Sequence, residues 1–258
     1  MMRPRLIPIL LLDSDRRLVK TVGFGARTYI GDPFNVLRLF NEKEVDEICV
    51  LDIDATSKGR GVDVGFVAEL SSECFMPLAY GGGLTDLATC EALNRAGVDK
   101  FVLGASATRP GFPAQLAEVF GAQAVVGCMD VRGGAGGQVM VNSGAAATDK
   151  GPVDYARALE AAGVGEILLQ SIDLDGRRTG YDLDLIAAVA SAVTVPVIAA
   201  GGAGDLEHFG PALAAGASAV ASGSAFAFIT RLRAVLISYP EVPEIDAMLA
   251  RAGLGGSA

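Results

Sequence analysis

The chain repeats itself at a constant offset of 119 residues, and that repeat limits the folds open to it. The segment opening at Glu47, EICVLDIDATSKGRGVDV, is matched by the one opening at Glu166, EILLQSIDLDGRRTGYDL. Asp54 pairs with Asp173, Asp63 with Asp182, Pro77 with Pro196, Gly82-Gly83 with Gly201-Gly202, Asp86 with Asp205, Gly97 with Gly216 and Gly104 with Gly223. No net gap has entered either half. Within each half, short apolar runs alternate with longer amphipathic ones, the pattern of strands followed by helices. Two such βαβα halves predict a single (β/α)8 TIM barrel with a two-fold internal repeat. Candidate strands are 5–12, 46–53, 75–80, 98–103, 123–130, 164–170, 195–200 and 218–222. Candidate helices are 33–43, 62–72, 86–96, 110–120, 152–162, 182–193, 206–215 and 224–238. A last helix near 242–251 precedes a Gly/Ser tail, about 252–258, that should fray. No linker or composition break divides the chain, so residues 1–258 read as one domain of the usual size for this fold.

Extending the repeat backwards sets Arg5–Leu11 against Ala124–Asp130. One half therefore carries an aspartate at the end of its first strand, and the other carries Leu11. Strand C-termini and the connections that follow them build the active sites of this fold. Two of those connections, 13–31 and 131–151, are unusually long. The second contains Gly133–Gly137, which reads as a mobile loop tip rather than a phosphate cradle. Asp130, Asp52, Asp54, Asp173, Asp175 and Lys20 all fall at or just beyond predicted strand ends. Carboxylates gathered around one mouth raise one another's pKa, which suits acid–base work. For Asp54, Asp173 and Asp175, loop capping or turn formation explains the residue equally well. Asp130 is the stronger candidate, because it closes the apolar run AVVGCM without another polar reason to end there. His208, the only histidine, reads as a surface or capping residue.

Phosphate binding is the second chemical signal. Gly82 and Gly83 follow the third strand, and Gly202 and Gly204 follow the seventh. The fourth strand runs into Gly104, and the eighth into Ser222, Gly223 and Ser224. Glycines there expose backbone N–H groups beside helix N-termini, which suits an anionic oxygen. Two such sites would face each other across the mouth and fit a ligand with two separated phosphates. The second-half site is the better supplied, since Gly104-Ala105 offers no side-chain donor.

Charge and composition narrow the partners. A net charge of −9 argues against nucleic-acid binding. No apolar run is long enough for a membrane span, and RLIPILLL reads as a strand rather than a signal peptide. Cys49, Cys74, Cys90 and Cys128 fall in no metal or redox spacing, so free thiols in a reducing cytoplasm are expected, with no metal or cofactor. At the other end of the barrel, Arg5, Glu47, Lys100 and Glu166 open their strands and should ring the bottom. Buried ion pairs cost nearly what they gain. A stabilising plug or solvated rim and a functional gate are both open at this stage.

With this ring, the glycine turns and Asp130 in place, the whole chain resembles the cyclase subunit of imidazole glycerol phosphate synthase, a two-fold (β/α)8 barrel. The resemblance implies a glutaminase subunit docked on the barrel bottom, with ammonia passing through the barrel to the top. It makes Arg5, Glu47, Lys100 and Glu166 the ammonia gate and places Asp46 and Asp99 at the glutaminase interface. It makes Asp130 one of two catalytic aspartates. The other falls on Leu11, or on Leu12 if an insertion near Asp13–Arg17 is placed earlier, and neither leucine transfers a proton. Asp13 lies one or two residues beyond, and a shift of one residue reverses the side-chain direction. The family pattern also has Asn-Thr where this chain has Gly104-Ala105.

The stretches MRPRLIP, LVKTVGF, YIGDPFNVLRLFNEKEVDE, SECFMPLAYGGG and RAVLISYP resemble a side branch of that family more closely. That branch accompanies bacterial surface-polysaccharide, O-antigen and nonulosonic-acid genes and is implicated in converting acetamido sugars to acetamidino sugars. The resemblance thus implies a cytoplasmic, ammonia-dependent synthase or lyase-type subunit of a glutamine amidotransferase complex, acting with a phosphorylated or nucleotide-sugar ligand. Two alternatives stand beside it: a working cyclase of histidine biosynthesis, and a non-catalytic scaffold that activates a glutaminase.

Overall fold

Strands buried on both faces read as unbroken apolar runs, and RLIPILLL is one of them. Its odd and even residues go to different cores. In the computed structural model, which describes residues 3–229 and 234–255, Ile7 and Ile9 point inward and Leu6, Leu10 and Leu12 outward under the helices. The eight parallel strands are β1 (Arg5–Leu12), β2 (Ile48–Asp52), β3 (Leu78–Gly81), β4 (Lys100–Leu103), β5 (Val125–Arg132), β6 (Glu166–Ser171), β7 (Val197–Ala200) and β8 (Ala219–Ser222). Each pairs with the next, and β8 returns to β1 with Ala219 opposite Arg5, closing the barrel. The interior is packed with small and branched side chains, among them Cys49, Ala79, Val102, Val126, Leu168 and Ile198.

Around the barrel lie α1 (Pro33–Glu42), α2 (Val64–Ser72), α3 (Leu87–Ala96), α4 (Phe112–Phe120), α5 (Pro152–Ala161), α6 (Leu183–Ala190), α7 (Phe209–Ala214) and α8 (Val242–Arg251). Their starts follow from the sequence. Asp32, Asp63, Asp86 and Asp182 each accept a hydrogen bond from the backbone N–H three residues on. Each such cap is worth about 1 kcal/mol. Asp63 and Asp182 cap equivalent helices of the two halves.

Three sequence expectations are corrected. The helix expected over 224–238 does not form: Ala227 and Phe228 donate back to the Ser224 carbonyl, and Phe228–Ile229 pairs antiparallel with Ala234–Val235. Residues 230–233 lie outside the described residues, as do 256–258 of the expected tail. The segment's β-branched and aromatic residues favour an extended chain over a helix. The expected helix 206–215 splits into a 3-10 turn, Leu206–His208, followed by α7. Third, Gly133–Gly137 is a tied turn rather than a free tip: Gly134–Gly136 form one 3-10 turn, and Gly133 N–H donates to Asp173 Oδ2 at 2.6 Å.

The two long connections wall the mouth. Residues Leu18–Lys20 pair antiparallel with the end of β1, setting Val19 opposite Leu11, and then with Thr28–Gly31. Residues Gln138–Val141 pair in the same way with the end of β5, setting Met140 opposite Asp130.

Candidate active site

A cavity of about 260 Å3 opens at the C-terminal ends of the strands. Its floor is apolar, formed by Ile9, Leu11, Leu51, Val102 and Leu168. Leu11 reaches it because it shares the inward parity of Ile7 and Ile9, whereas Leu12 is buried outside the barrel. Asp13 does not reach the cavity. Its carboxylate is spent on a local turn, accepting from Asp15 N (3.0 Å), Arg17 N (2.9 Å) and the Arg17 guanidinium (3.1 and 3.2 Å).

Across the floor, on β5, Cys128 and Asp130 line the same cavity. Burial pushes the Asp130 carboxyl up to about 7; the Cys128 thiol, 3.7 Å from Oδ1, opposes that rise, and the negative charge of Asp175 adds to it. Burial also raises Asp175, although Thr21 Oγ1 donates to it at 2.9 Å and Lys20 lies near. Lys20 lines the cavity too, its ammonium donating to the Ile9 carbonyl at 2.6 Å. Burial lowers its pKa to about 8, against the favourable charge of Asp175. A Cβ built on Gly223 would collide with Lys20 Nζ, so the ammonium sits against the second-half glycine turn.

The other carboxylates divide. Asp52 lines the cavity but is held by Arg60 Nη2 at 2.8 and 3.0 Å and accepts from the backbone of Asp54 and Ala55. Asp54 is 1% exposed and bound by Arg27 (2.7 and 2.8 Å), Lys58 (3.1 Å) and Ser14 N (2.9 Å). The Arg27 guanidinium holds its carboxyl well below the usual range. Asp173, expected among the ligand-contacting groups, is exposed and turned away from the cavity onto Gly133 N–H.

Of the expected anion-binding residues, Gly82, Gly83, Gly104 and Gly202 line the cavity, as do Ser222, Gly223 and Ser224. Gly82, at φ 113°, lies against the Asp52 carbonyl so closely that a Cβ would collide with it. Gly204 does not belong to the set. Its N–H donates to His208 Nδ1 at 3.1 Å and its carbonyl accepts from Arg178 at 3.2 Å, which makes His208 a capping residue. The Ser222 hydroxyl accepts from Ala225 N (3.0 Å) and donates to the Ala203 carbonyl (3.2 Å), so it shapes the turn. Sequence reasoning missed Thr21, Arg27, Asn142 and Ser143, which line the mouth from the two long connections, and Gln170, which reaches it from β6. The length of those connections was the only signal for the first four.

At the barrel bottom the four expected charges close a ring. Arg5 binds Glu47 Oε2 at 2.5 Å and also Glu166, and Lys100 Nζ bridges the same glutamates at 2.8 and 2.9 Å. Just above it is a void of about 10 Å3 lined by Ile7, Glu47, Cys49, Ala79 and Leu168 among others. That is roughly the volume one water-sized molecule requires. Asp46 and Asp99 have local bonds at this face: Asp46 accepts from Leu6 N and Tyr239 OH, both at 2.9 Å, and Asp99 accepts from Leu78 N at 2.8 Å. All four cysteines are free. Among the described residues, no helix is long and apolar enough to cross a membrane, and no group of three His, Cys, Asp or Glu side chains could hold a metal ion.

Comparison with known proteins adds lineage to this geometry. A family model described as histidine biosynthesis protein matches residues 5–230. The provisionally named imidazole glycerol phosphate synthase subunit hisF2 of Pseudomonas aeruginosa is 46% identical, over 95% of this chain and 99% of that protein. The imidazole glycerol phosphate synthase subunit HisF of Hyphomonas neptunium is 42% identical, over 88% of this chain and 91% of its own length. The subunit of the same name from Corynebacterium glutamicum strain R is 40% identical, over 87% and 90%.

Proposed function

This chain belongs to the histidine biosynthesis protein family, and from that premise we propose that it is the ammonia-accepting barrel of a glutamine amidotransferase complex that no longer closes an imidazole ring. The observation that carries this reading is Leu11. It sits on the cavity floor where the repeat demands a counterpart to Asp130, Leu12 faces outward, and Asp13 is occupied elsewhere. Acid–base chemistry that needs a carboxylate at this position of both halves has only Asp130 here, the other cavity carboxylates, Asp52 and Asp175, coming from the ends of other strands.

A partner glutaminase docks beneath the Arg5, Glu47, Lys100 and Glu166 ring, with Asp46 and Asp99 at the contact. Ammonia crosses the ring and the apolar interior as the neutral molecule, because a bare ammonium ion there would lack a solvation shell. It emerges beside Asp130, whose carboxyl, pushed up to about 7, can give or take a proton near neutral pH. The glycine turns, with the Lys20 ammonium against Gly223, hold a phosphate or diphosphate. The ligand is a phosphorylated or nucleotide-linked sugar precursor of a bacterial surface polysaccharide or nonulosonic acid, handled in the cytoplasm. Ammonia forms a new C–N bond at the carbonyl carbon of its acetamido group as the C–O bond breaks, the oxygen leaving as water, to give an acetamidino group. Asp173 and Gly204 drop out of this site, and Asp175 and Asp52 remain as ligand-facing groups.

The second reading is a working cyclase, favoured by the HisF names of the relatives at 42% and 40% identity. One experiment separates the two. The purified protein is mixed with a glutaminase subunit from the same genome, and glutamine hydrolysis and imidazole glycerol phosphate formation are followed with and without the cyclase substrate. The expected result is glutaminase binding or stimulation with no imidazole product. Product at a cyclase-like rate would overturn the proposal.

A further inference from the structure

Asp130 has a neighbour that the proposed chemistry leaves unused. Cys128 lies two residues earlier on β5, so the two side chains share the inner face of the strand, and both line the cavity. The Cys128 Sγ stands 3.7 Å from Asp130 Oδ1. The equivalent positions of the first half hold Ile9 and Leu11, which also line the cavity and have no hydrogen-bonding side chain. Hydrogen-bonding groups thus occupy both positions in one half and neither in the other. Burial first, then the charge of Asp130, pushes the Cys128 thiol well above its ordinary pKa. It stays S–H across the physiological range and faces the carboxylate as a donor.

We propose that Cys128 is a positioning residue for Asp130, its thiol donating to Oδ1 and holding the carboxylate turned into the cavity. This rests on the reading of Asp130 as the acid–base group of the site. The surroundings of Asp130 make the thiol the telling contact. Gln170 lies opposite it in register on β6, Met140 opposite it on the Gln138–Val141 strand, and neither carries a charge. Asp175, beyond β6, drives a proton onto it, and Lys20 and Asp52 line the same cavity. Tyr155, on α5 outside the sheet, feels both Cys128 and Asp130. A thiol is a weaker donor than a hydroxyl. It therefore orients the carboxylate without drawing its pKa far below neutrality, where it would cease to serve as an acid.

The test is a titration of the Asp130 carboxyl by 13C NMR on aspartate-labelled protein, with Asp130→Asn identifying the signal. Wild type should titrate near 7. Cys128→Ala removes the donor and should move the midpoint upward by at least about 0.3 unit, and Cys128→Ser, a stronger donor, should move it below wild type. A midpoint that is unchanged or lower in Cys128→Ala overturns the assignment. Should that variant not fold, a Cys128→Ser midpoint at or above wild type overturns it as well. The titration reads no product and no ammonia transfer, so this inference and the functional reading fail independently.

Discussion

Both halves of the barrel present carboxylates at strand ends, at different positions of the repeat, and use them differently. In the first half, Asp52 is clasped by Arg60, and Asp54 by Arg27, Lys58 and the Ser14 backbone. In the second half, Asp130 meets a thiol, and Asp175 a hydroxyl and an amide. Arg27 and the Ser14 N–H tie the β1–α1 connection to Asp54, whereas Lys58 and Arg60 hold the β2–α2 connection onto itself. Burial without a clasping cation leaves the second pair with raised pKa values. Residue type and position alone do not separate structural from chemical carboxylates; the cation that reaches them does. Glu47 and Glu166 at the bottom show the opposite case, where both halves share the same Arg5 and Lys100.

The largest effect should come from the second half. In a reconstituted complex with its glutaminase, Asp130→Asn should lower ammonia-dependent product formation by about 100-fold or more, the usual scale of a lost acid–base group, while glutaminase binding is kept. Leu11→Asp sharpens the same point by restoring a carboxylate to the first half. Imidazole glycerol phosphate should then form where wild type yields none, as product analysis after incubation with the cyclase substrate would show. Equal product from both proteins would mean that Leu11 is no lesion.

Next in size is the first-half clasp. Asp54→Ala leaves Arg27 and Lys58 without their shared anion, and both can turn to solvent, being 40% and 53% exposed. Breaking such a pair should cost about 2–3 kcal/mol in urea unfolding at pH 7. Because the Asp54 pKa is depressed in the folded state, its contribution is present above the unfolded carboxylate pKa and lost as pH falls through the folded one. The difference between wild type and Asp54→Ala should therefore shrink in acid.

How far this asymmetry could be read beforehand depends on the residue. The barrel was legible because the 119-residue repeat and the apolar runs are local signals, and the aspartate caps at Asp63 and Asp182 follow from side-chain chemistry a few residues away. The repeat left the counterpart of Asp130 at Leu11 or Leu12, and the fold decides for Leu11, which faces the cavity while Leu12 lies outside the barrel. Of the two readings open for Asp173, the structure shows the loop-capping one, and Gly204 is turned away from the anion-binding set; their partners, Gly133 N–H and His208, are set by loop conformation, on which the repeat gives no information. Arg27 was missed for the same reason: it reaches Asp54 only after the 13–31 connection folds back beside β1. Beyond Ser224 the expected helix gives way to the pairing of Phe228–Ile229 with Ala234–Val235, since β-branched and aromatic residues favour an extended chain.

Smaller effects probe stability in the second half. Asp130 has a folded pKa near 7, above its unfolded value, so the folded state holds a proton that the unfolded chain gives up between about pH 4 and 7. Stability is therefore lost as pH rises through that window. Asp130→Asn should be more stable than wild type by about 1–3 kcal/mol at pH 8, with a smaller gain at pH 5, as paired thermal melts would show. A gain that is the same at both values would place Asp130 in ordinary solvent.

The smallest effect belongs to Asp173, which the repeat equates with Asp54. It is exposed, and its side chain meets one backbone N–H in place of two cations. Asp173→Ala should change unfolding free energy by no more than about 0.5–1 kcal/mol, since water can replace the carboxylate on an exposed Gly133 N–H. Measured beside Asp54→Ala in the same denaturant series, it tests the contrast directly. Equal losses at the two sites would mean that the clasping cations add nothing and that the halves are held alike; a several-fold larger loss at Asp54 assigns that carboxylate to the scaffold.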